Sequence, residues 1–211
     1  MTTISSHPLI ETELARLRDK NTDSKGFREA VDVLASFLMI EATRNLAMKS
    51  IRIETPIREC SVYQLADPYP FVFHILRAGQ SMVPTAVRML PNAVIGTIGL
   101  YRNEETLEPV QYFHKPIKIS RDCDIFVLDP LLATGGTASA AITMIKNSGK
   151  GYNLNIRMLS IISAPVGLQK LADDHPDVKI YTCAIDEKLN DVGYIVPGAG
   201  DVGDRYCGTL E

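Results

Sequence analysis

The chain has 211 residues, of which 45% are hydrophobic and 22% are charged, and its formal net charge at pH 7 is −3. This composition is typical of a globular protein in water, and the length suits a single domain over residues 1–211. Because basic residues are not in excess, the chain has no overall field that would attract nucleic acid or an anionic membrane.

The sequence also lacks membrane and secretion signals. No apolar stretch approaches the ~20 residues that span a bilayer. The first ten residues, MTTISSHPLI, lack the basic start and long apolar segment of a signal peptide. We therefore expect a cytoplasmic protein. The four cysteines contain no Cys-x-x-Cys pair and are expected to be reduced, and the four histidines show no metal-ligand spacing.

Two helices are predicted at the amino terminus. The first starts at His7 and runs through Asp19, and the second covers residues 25–45 after the polar segment NTDS, which suits an N-cap. Apolar residues recur in the second helix at helical spacing, namely at Phe27, Val31, Leu34, Leu38 and Ala42. We interpret it as a packing helix, and in an oligomer this helical pair would be a natural interface.

Strand and helix patterns alternate through the rest of the chain. A half-exposed strand is predicted over residues 51–57, and a hairpin or excursion over residues 106–118. Further strands are predicted at residues 71–76, 93–100, 125–128, 154–162 and 178–184, and helices at residues 80–90, 138–146 and 165–174. This alternation implies an α/β fold, with a mostly parallel sheet and helices on both faces.

A turn of small residues follows the strand at residues 125–128. Asp129 ends that strand, the sequence TGGT occupies residues 134–137, and a helix begins at Ala138. Glycines let backbone N–H groups approach a phosphate closely, and a helix start adds partial positive charge. Since a carboxylate suits sugar hydroxyls or a metal-bound water, the segment indicates a site for a phosphorylated sugar. The alternative is an ordinary strand-to-helix turn with small packing residues.

Two arginines are expected beside this turn. Arg77 and Arg102 each follow a predicted strand, as Asp129 does. In an open parallel sheet, ligands bind beyond the carboxyl ends of the strands, so the three side chains should meet at one edge. The planar guanidinium fork suits phosphate and pyrophosphate oxygens. For either arginine taken alone, the simpler interpretation is a solvated charge at the end of a strand.

The carboxyl-terminal segment GAGDVG, residues 198–203, formally matches the G-x-G-x-x-G dinucleotide motif. We reject that interpretation because only eight residues follow Gly203, and no acid lies ~20 residues further on. Pro197 and the glycines instead predict a tight loop with exposed backbone. Such a loop can bind a small planar base through main-chain groups, and the alternative is a structural tail packed on the sheet.

These segments together resemble the type I phosphoribosyltransferases, and in particular the uracil phosphoribosyltransferase family. VLDPLLATGGTASAAI resembles the loop that binds phosphoribosyl diphosphate (PRPP), and its Asp-Pro pair at residues 129–130 resembles the uracil version. ILRAG at residues 75–79 is similar to the pyrophosphate loop, and residues 101–110 to another signature segment. GYIVPGAGD at residues 193–201 resembles the uracil-binding segment.

The resemblance implies a type I phosphoribosyltransferase fold, with amino-terminal helices and a small carboxyl-terminal hood over the base. It implies transfer of the phosphoribosyl group of PRPP to N1 of uracil, giving UMP and pyrophosphate with Mg²⁺ as cofactor. The implied catalytic residues are Arg77, Arg102, Asp129 and Asp201. The implied PRPP-binding residues are these four with Pro130, Leu131, Leu132, Ala133, Thr134, Gly135, Gly136 and Thr137. The implied uracil-binding residues are Tyr194, Ile195, Gly200, Asp201 and Val202.

The resemblance also implies several partners. We expect no direct protein ligand for the metal, which PRPP would carry close to Asp201. We further expect a homo-oligomer, either a dimer or a tetramer, with GTP as a candidate effector, and neither nucleic acid nor membrane as a partner. The alternatives are transfer to a different base, an RNA-binding regulator on the same fold, and a catalytically idle paralogue.

Overall fold

A central sheet organises the protein. The computed structural model describes residues 2–102, 109–114 and 116–209, and within them the sheet has eight strands in the order β1-β10-β9-β7-β4-β5-β6, with β8 beside β9. These strands are β1 (Thr2–Ile4), β4 (Phe71–Leu76), β5 (Val94–Arg102), β6 (Pro109–His114), β7 (Cys123–Leu128), β8 (Leu131–Leu132), β9 (Leu154–Ser163) and β10 (Lys179–Ile185).

All of these pairings are parallel except that of β6, which runs antiparallel to β5. The carboxyl ends of β4, β5, β7, β9 and β10 therefore share one edge of the sheet. Two small antiparallel ribbons lie outside the sheet: β2 (Met48–Glu54) with β3 (Glu59–Leu65), and β11 (Lys188–Leu189) with β12 (Ile195–Val196).

The first two helices start at residues whose side chains cap them. The His7 side chain accepts a hydrogen bond from the Leu9 N–H at the start of α1, and the Asp23 side chain accepts one from the Gly26 N–H at the start of α2. The helices are α1 (Pro8–Arg18), α2 (Ser24–Thr43), α3 (Val83–Met89), α4 (Gly136–Ser148), α5 (Pro165–Asp174) and α6 (Val202–Cys207), with a 3-10 helix at Ala78–Met82. Among the residues that the structure describes, no helix combines the length and apolarity needed to cross a bilayer.

The core lies on both faces of the sheet. On one face, Val72 and Phe126 belong to a buried cluster with Leu34 of α2. On the other face, Phe73 and Val127 belong to a buried cluster with Ile142 of α4. Successive residues of a strand point to opposite faces, so the two central strands carry apolar residues on both faces. The predicted fold class, a mostly parallel sheet with helices on both faces, is confirmed.

Several short elements differ from the predictions. The half-exposed strand ends at Glu54 instead of residue 57, because the Thr55 N–H donates to the Arg58 carbonyl in a turn and Pro56 cannot donate to a ladder. Its partner β3 was not predicted, nor were β1, β8, β11, β12 and α6. The helix predicted from residue 80 starts as the 3-10 helix at Ala78. Strand β6 confirms a hairpin with β5 over residues 109–114, whereas residues 106–108 and 115 lie outside the described residues.

Candidate active site

A cavity of about 250 Å³ opens at the edge of the sheet where the parallel strands end. Three segments that are distant in the sequence form most of its wall. These are residues 75–78 at the end of β4, residues 129–138 from the end of β7 into α4, and residues 193–203 near the carboxyl terminus. Ligand sites in open α/β sheets lie at this edge, so the cavity is the candidate active site.

We call residues 129–137 the phosphate loop, and its first part, residues 129–132, is held by main-chain hydrogen bonds to β9 and the residue after it. The Asp129 N–H donates to the Leu159 carbonyl over 3.2 Å. The N–H groups of Ile161 and Ile162 both donate to the Pro130 carbonyl, over 2.9 and 3.0 Å, and the Ala164 N–H donates to Leu132 over 2.9 Å. The path of the loop therefore depends little on its own side chains.

Two glycines let the phosphate loop pack against the start of α5. Gly135 precedes the first residue of α4 and has φ = +81°, a conformation that side chains with a Cβ rarely adopt. A Cβ at Gly135 would also lie 2.7 Å from the Gly167 carbonyl oxygen, and a Cβ at Gly167 would overlap the Ala133 carbonyl oxygen. The two backbones can approach this closely only because both residues are glycine.

Asp129 contributes a carboxylate to the lining of the cavity. Its side chain is partly buried, and burial raises the pKa of Asp129 from an ordinary value of 3.8 to about 7, although a hydrogen bond from the Leu131 backbone favours the charged form. A carboxyl group with this pKa changes its charge in the neutral range. Such perturbed groups cluster at functional sites.

Arg77 lies beside the phosphate loop because its segment packs on β7. It follows the last residue of β4 through a cis Leu76–Arg77 peptide bond. A Cβ at Gly79 would overlap the Leu128 carbonyl oxygen, so this glycine permits close contact between the 3-10 helix and the end of β7. The Arg77 guanidinium donates to the Asp204 carboxylate over 3.0 Å.

Residues 193–203, which we call the base loop, form the opposite wall. The ribbon of β11 and β12 starts this loop, and a cis Val196–Pro197 peptide bond follows. Gly198 and Gly200 then adopt φ = +63° and +72°. The tight loop predicted from Pro197 and its glycines is present. The loop runs into α6, where the Asp201 side chain caps the helix by accepting from the Asp204 N–H over 2.9 Å.

Comparison with known proteins identifies the family. The sequence model of the family described as "Uracil phosphoribosyltransferase" matches residues 4–209. Two proteins named "Uracil phosphoribosyltransferase", from Clostridium botulinum strain Hall and Clostridium perfringens strain SM101, are 48% and 50% identical to this chain. Each alignment covers 97% of this chain and 96% of the relative. The chain belongs to the uracil phosphoribosyltransferase family.

A solved structure agrees with this assignment. The AQ2163 protein from Aquifex aeolicus is 35% identical, and the comparison covers 98% of this chain and 97% of that chain with a TM-score of 0.90. The prediction of a uracil phosphoribosyltransferase family member and of a phosphoribosyltransferase enzyme is confirmed. Family membership does not show which residues form the site. That depends on which residues line the cavity.

The cavity of this uracil phosphoribosyltransferase family member brings together most of the predicted residues. All five residues predicted to bind uracil line it: Tyr194, Ile195, Gly200, Asp201 and Val202. Arg77 and Asp129 line it too, as do Leu131, Leu132, Ala133, Thr134, Gly135 and Thr137 of the phosphate loop. Of the predicted residues that the structure describes fully, Pro130 and Gly136 are not part of the lining. Arg102 ends β5 at the same sheet edge, and its side chain lies outside the described atoms.

The cavity offers few protein ligands for a metal ion. Within the described ranges, no three His, Cys, Asp or Glu side chains lie close enough together to hold one. Two carboxylates, those of Asp129 and Asp201, line the cavity. Mg²⁺ commonly takes one or two carboxylates together with substrate phosphates, in contrast to an all-protein cage. The residues present therefore fit a magnesium ion that enters with a phosphorylated substrate.

Two groups of residues around the cavity are not predicted from the sequence. Further lining residues, among them Gly193 and Gly203, flank predicted ones and could have been inferred from adjacency. Behind the base loop lie three charged residues, Arg18, Asp186 and Arg205, whose contacts connect distant parts of the chain. Asp186 lies in a segment that resembles the family, but nothing in the sequence pairs it with Arg18.

Proposed function

We propose that this member of the uracil phosphoribosyltransferase family transfers the phosphoribosyl group of PRPP to N1 of uracil, giving UMP and diphosphate. One observation carries the proposal. The phosphate loop and the base loop, each suited to one half of the product, line a single cavity at the carboxyl edge of the sheet. The two substrates would therefore meet with the base beside the ribose.

The phosphate loop would bind the 5′-phosphate of PRPP. Its small residues and the start of α4 direct backbone N–H groups and partial positive charge toward one place, and the hydroxyls of Thr134 and Thr137 add further donors. The carboxylate of Asp129 would accept hydrogen bonds from the ribose hydroxyls. The charged form of Asp129 makes the stronger hydrogen bonds, so we expect PRPP to favour its ionisation.

The base loop would recognise uracil mainly through its backbone. Uracil presents the O2 and O4 acceptors and the N3–H donor, which match a series of backbone N–H, C=O and N–H groups. Cytosine lacks the N3–H, so a backbone carbonyl at that position would face another acceptor. An unmatched buried polar group costs ~1–3 kcal/mol, which is enough to discriminate between the two bases. We assign this role to Ile195, Gly200 and Val202, with Tyr194 and Asp201 beside them.

Arg77 and Arg102 would bind the diphosphate of PRPP. Arg77 follows β4 and Arg102 ends the neighbouring parallel strand β5, and arginine presents a planar fork of donors to phosphate oxygens. As the bond to the anomeric carbon breaks, negative charge grows on the diphosphate and positive charge on the ribose. The arginines stabilise the first charge and Asp129 the second. Asp201 is a candidate carboxylate to hold Mg²⁺, which would supply further neutralisation of the diphosphate when bound.

No protein nucleophile is needed in this reaction. Uracil N1 attacks the anomeric carbon and loses its proton to water, the carbon–oxygen bond to the diphosphate breaks, and the diphosphate leaves with that electron pair. The chain contributes orientation of the two substrates and stabilisation of developing charge. We further propose, from the family resemblance, a cytoplasmic homo-oligomer and a response to GTP.

The test is UMP formation from uracil and PRPP, with Mg²⁺ and then with a chelator added. Magnesium-dependent UMP formation is the expected result. Turnover of hypoxanthine, adenine or orotate with no turnover of uracil would overturn the assignment of the base loop. Salt-sensitive RNA retention without turnover of any base would overturn the enzymatic proposal and favour an RNA-binding regulator.

A further inference from the structure

Three charged side chains hold the base loop from outside the cavity. Arg18 ends α1, Asp186 directly follows β10, and Arg205 lies in α6. None of the three is among the cavity-lining residues. We call them the loop clamp, because each bonds to the main chain of Gly198 or Ala199.

The first half of the loop clamp is a bidentate ion pair. The Arg18 guanidinium donates to the two Asp186 carboxylate oxygens over 2.7 and 2.6 Å, and also to the Gly198 carbonyl over 2.9 Å. The Gly198 N–H donates to Asp186 over 2.7 Å. Both polar groups of the Gly198 backbone are therefore bound by one pair of side chains. The Asp186 side chain is only 4% exposed, so a lost partner would leave buried charge.

The second half of the loop clamp is Arg205. One of its nitrogens donates to the Leu17 carbonyl over 2.6 Å and to the Ala199 carbonyl over 2.9 Å. Its other terminal nitrogen donates to the Asp19 carbonyl over 2.6 Å, and the guanidinium lies over the Phe27 ring. Arg205 thus joins the base loop to the carboxyl-terminal end of α1, where carbonyl groups lack partners within the helix.

We propose that the loop clamp positions the base loop for uracil, so that the end of α1 contributes to base affinity without contacting the base. Gly198 and Ala199 lie between Ile195 and Gly200, which line the cavity on either side of them. Fixing Gly198 and Ala199 therefore fixes the spacing between the backbone groups of Ile195 and Gly200. The inference rests on the proposed function, because it assigns uracil to this loop.

The loop clamp should act on uracil and not on PRPP. The phosphate loop has its own main-chain bonds to β9 and makes no hydrogen bond to Arg18, Asp186 or Arg205 among those described. A displaced base loop would weaken uracil binding and leave the 5′-phosphate site in place. This separation distinguishes a positioning role from general loss of stability.

The experiment measures KM for both substrates in Asp186→Ala, Arg18→Ala and Asp186→Asn variants. We expect Asp186→Ala and Arg18→Ala to raise KM for uracil about tenfold, since a buried donor or charge loses its partner, with KM for PRPP within about twofold of wild type. The Asp186→Asn variant retains an acceptor oxygen for the Gly198 N–H and should show a smaller rise. The Arg18→Ala, Asp186→Ala double variant should resemble either single variant.

A matched control removes a similar ion pair at the opposite edge of the sheet. Asp124, near the start of β7, accepts from the buried Arg157 over 2.7 Å, far from the base loop in the sheet. Asp124→Ala should lower the melting temperature to a similar extent but leave KM for uracil unchanged. Hydrogen exchange of residues 195–200 should accelerate in Asp186→Ala and not in Asp124→Ala.

Two results would overturn the proposal: a wild-type KM for uracil in Asp186→Ala, or an equal rise in Asp124→Ala. If Asp186→Ala does not fold, the Asp186→Asn and Arg18→Lys variants carry the same test. Failure of the proposed function gives a different result, because the wild-type protein would then not turn over uracil. In that case hydrogen exchange still tests the loop clamp. If exchange in residues 195–200 is the same in Asp186→Ala as in wild type, the clamp does not position the base loop.

Discussion

The phosphate loop and the base loop line the same cavity but are held in place by different kinds of contact. The phosphate loop is bonded to β9 and its following residue through main-chain groups, and glycines allow it to pack against α5. The centre of the base loop is bonded through the side chains of the loop clamp, which come from α1, the end of β10 and α6. One loop is supported by main-chain groups of a neighbouring strand, the other by charged side chains.

This difference predicts different responses to substitution. Most side chains around the phosphate loop can change without moving its backbone, whereas its glycines cannot. The base loop should instead respond to changes at residues that never contact a substrate. Substitutions can therefore test the two modes of support separately. The largest effect is expected at Gly135, near the end of the phosphate loop.

Gly135→Ala should abolish most PRPP use. Gly135 has φ = +81°, and an added Cβ would lie 2.7 Å from the Gly167 carbonyl oxygen, which is backbone and cannot rotate away. The phosphate loop would have to shift, and misplacement by about 1 Å can cost roughly 100-fold in rate. We expect kcat/KM for PRPP to fall by at least about that factor in steady-state assays.

Gly151→Ala is the matched control for this variant. Gly151 also has a positive φ, +97°, but an added Cβ would meet no atom within 4 Å. It should lose about 1 kcal/mol of stability from backbone strain and retain wild-type kinetics. Equal kinetic losses in the two variants would show that the contact with Gly167 is not what matters.

Asp129→Asn should have the next largest effect, on turnover. The amide keeps the shape of the side chain but removes the negative charge that would oppose the developing positive charge on the ribose. We expect kcat to fall roughly 30-fold, as for loss of a hydrogen bond to a charged group, with little change in the circular dichroism spectrum. An unchanged kcat would remove Asp129 from the proposed mechanism.

The contrast between the loops also explains what the sequence could predict. The phosphate loop is a contiguous segment whose strand, TGGT turn and helix each have a local signature, so its position and its lining residues followed from sequence. The main strands and helices did so for the same reason. Short strands such as β8 and β12 were missed, because two residues carry no periodicity and form only where tertiary contacts allow.

The glycines of the base loop were predicted from the sequence, but the side chains of the loop clamp that hold it were not. Arg18 and Asp186 are separated by 168 residues, and each alone has the sequence context of an ordinary surface charge. Only the fold brings the end of α1 beside the end of β10. The roles assigned to the individual site residues, and the single domain over residues 1–211, stay predictions.

Asp129 should also make stability depend on pH. Its pKa is about 7 in the folded protein against an ordinary 3.8, so between these values the unfolded chain has lost a proton that the folded protein retains. Deprotonation therefore favours unfolding, and this group lowers stability progressively from about pH 4 to pH 7. We therefore expect Asp129→Asn to become more stable relative to wild type as the pH rises. The difference between the two melting temperatures should increase by several degrees over this range and then level off. A constant difference from pH 4 to pH 8 would contradict the raised pKa.

The smallest effect is expected at the ion pair that joins the segment after β4 to α6. Arg77, beside the phosphate loop, pairs with Asp204 of α6 over 3.0 Å, but its side chain is 60% exposed. Exposed pairs contribute ~0–1 kcal/mol and are screened by salt, so Asp204→Asn should change the free energy of unfolding by less than ~1 kcal/mol. Urea unfolding at low and high salt measures this directly. A larger, salt-independent loss would mean that the two loops are coupled through this pair, and that their modes of support are not independent.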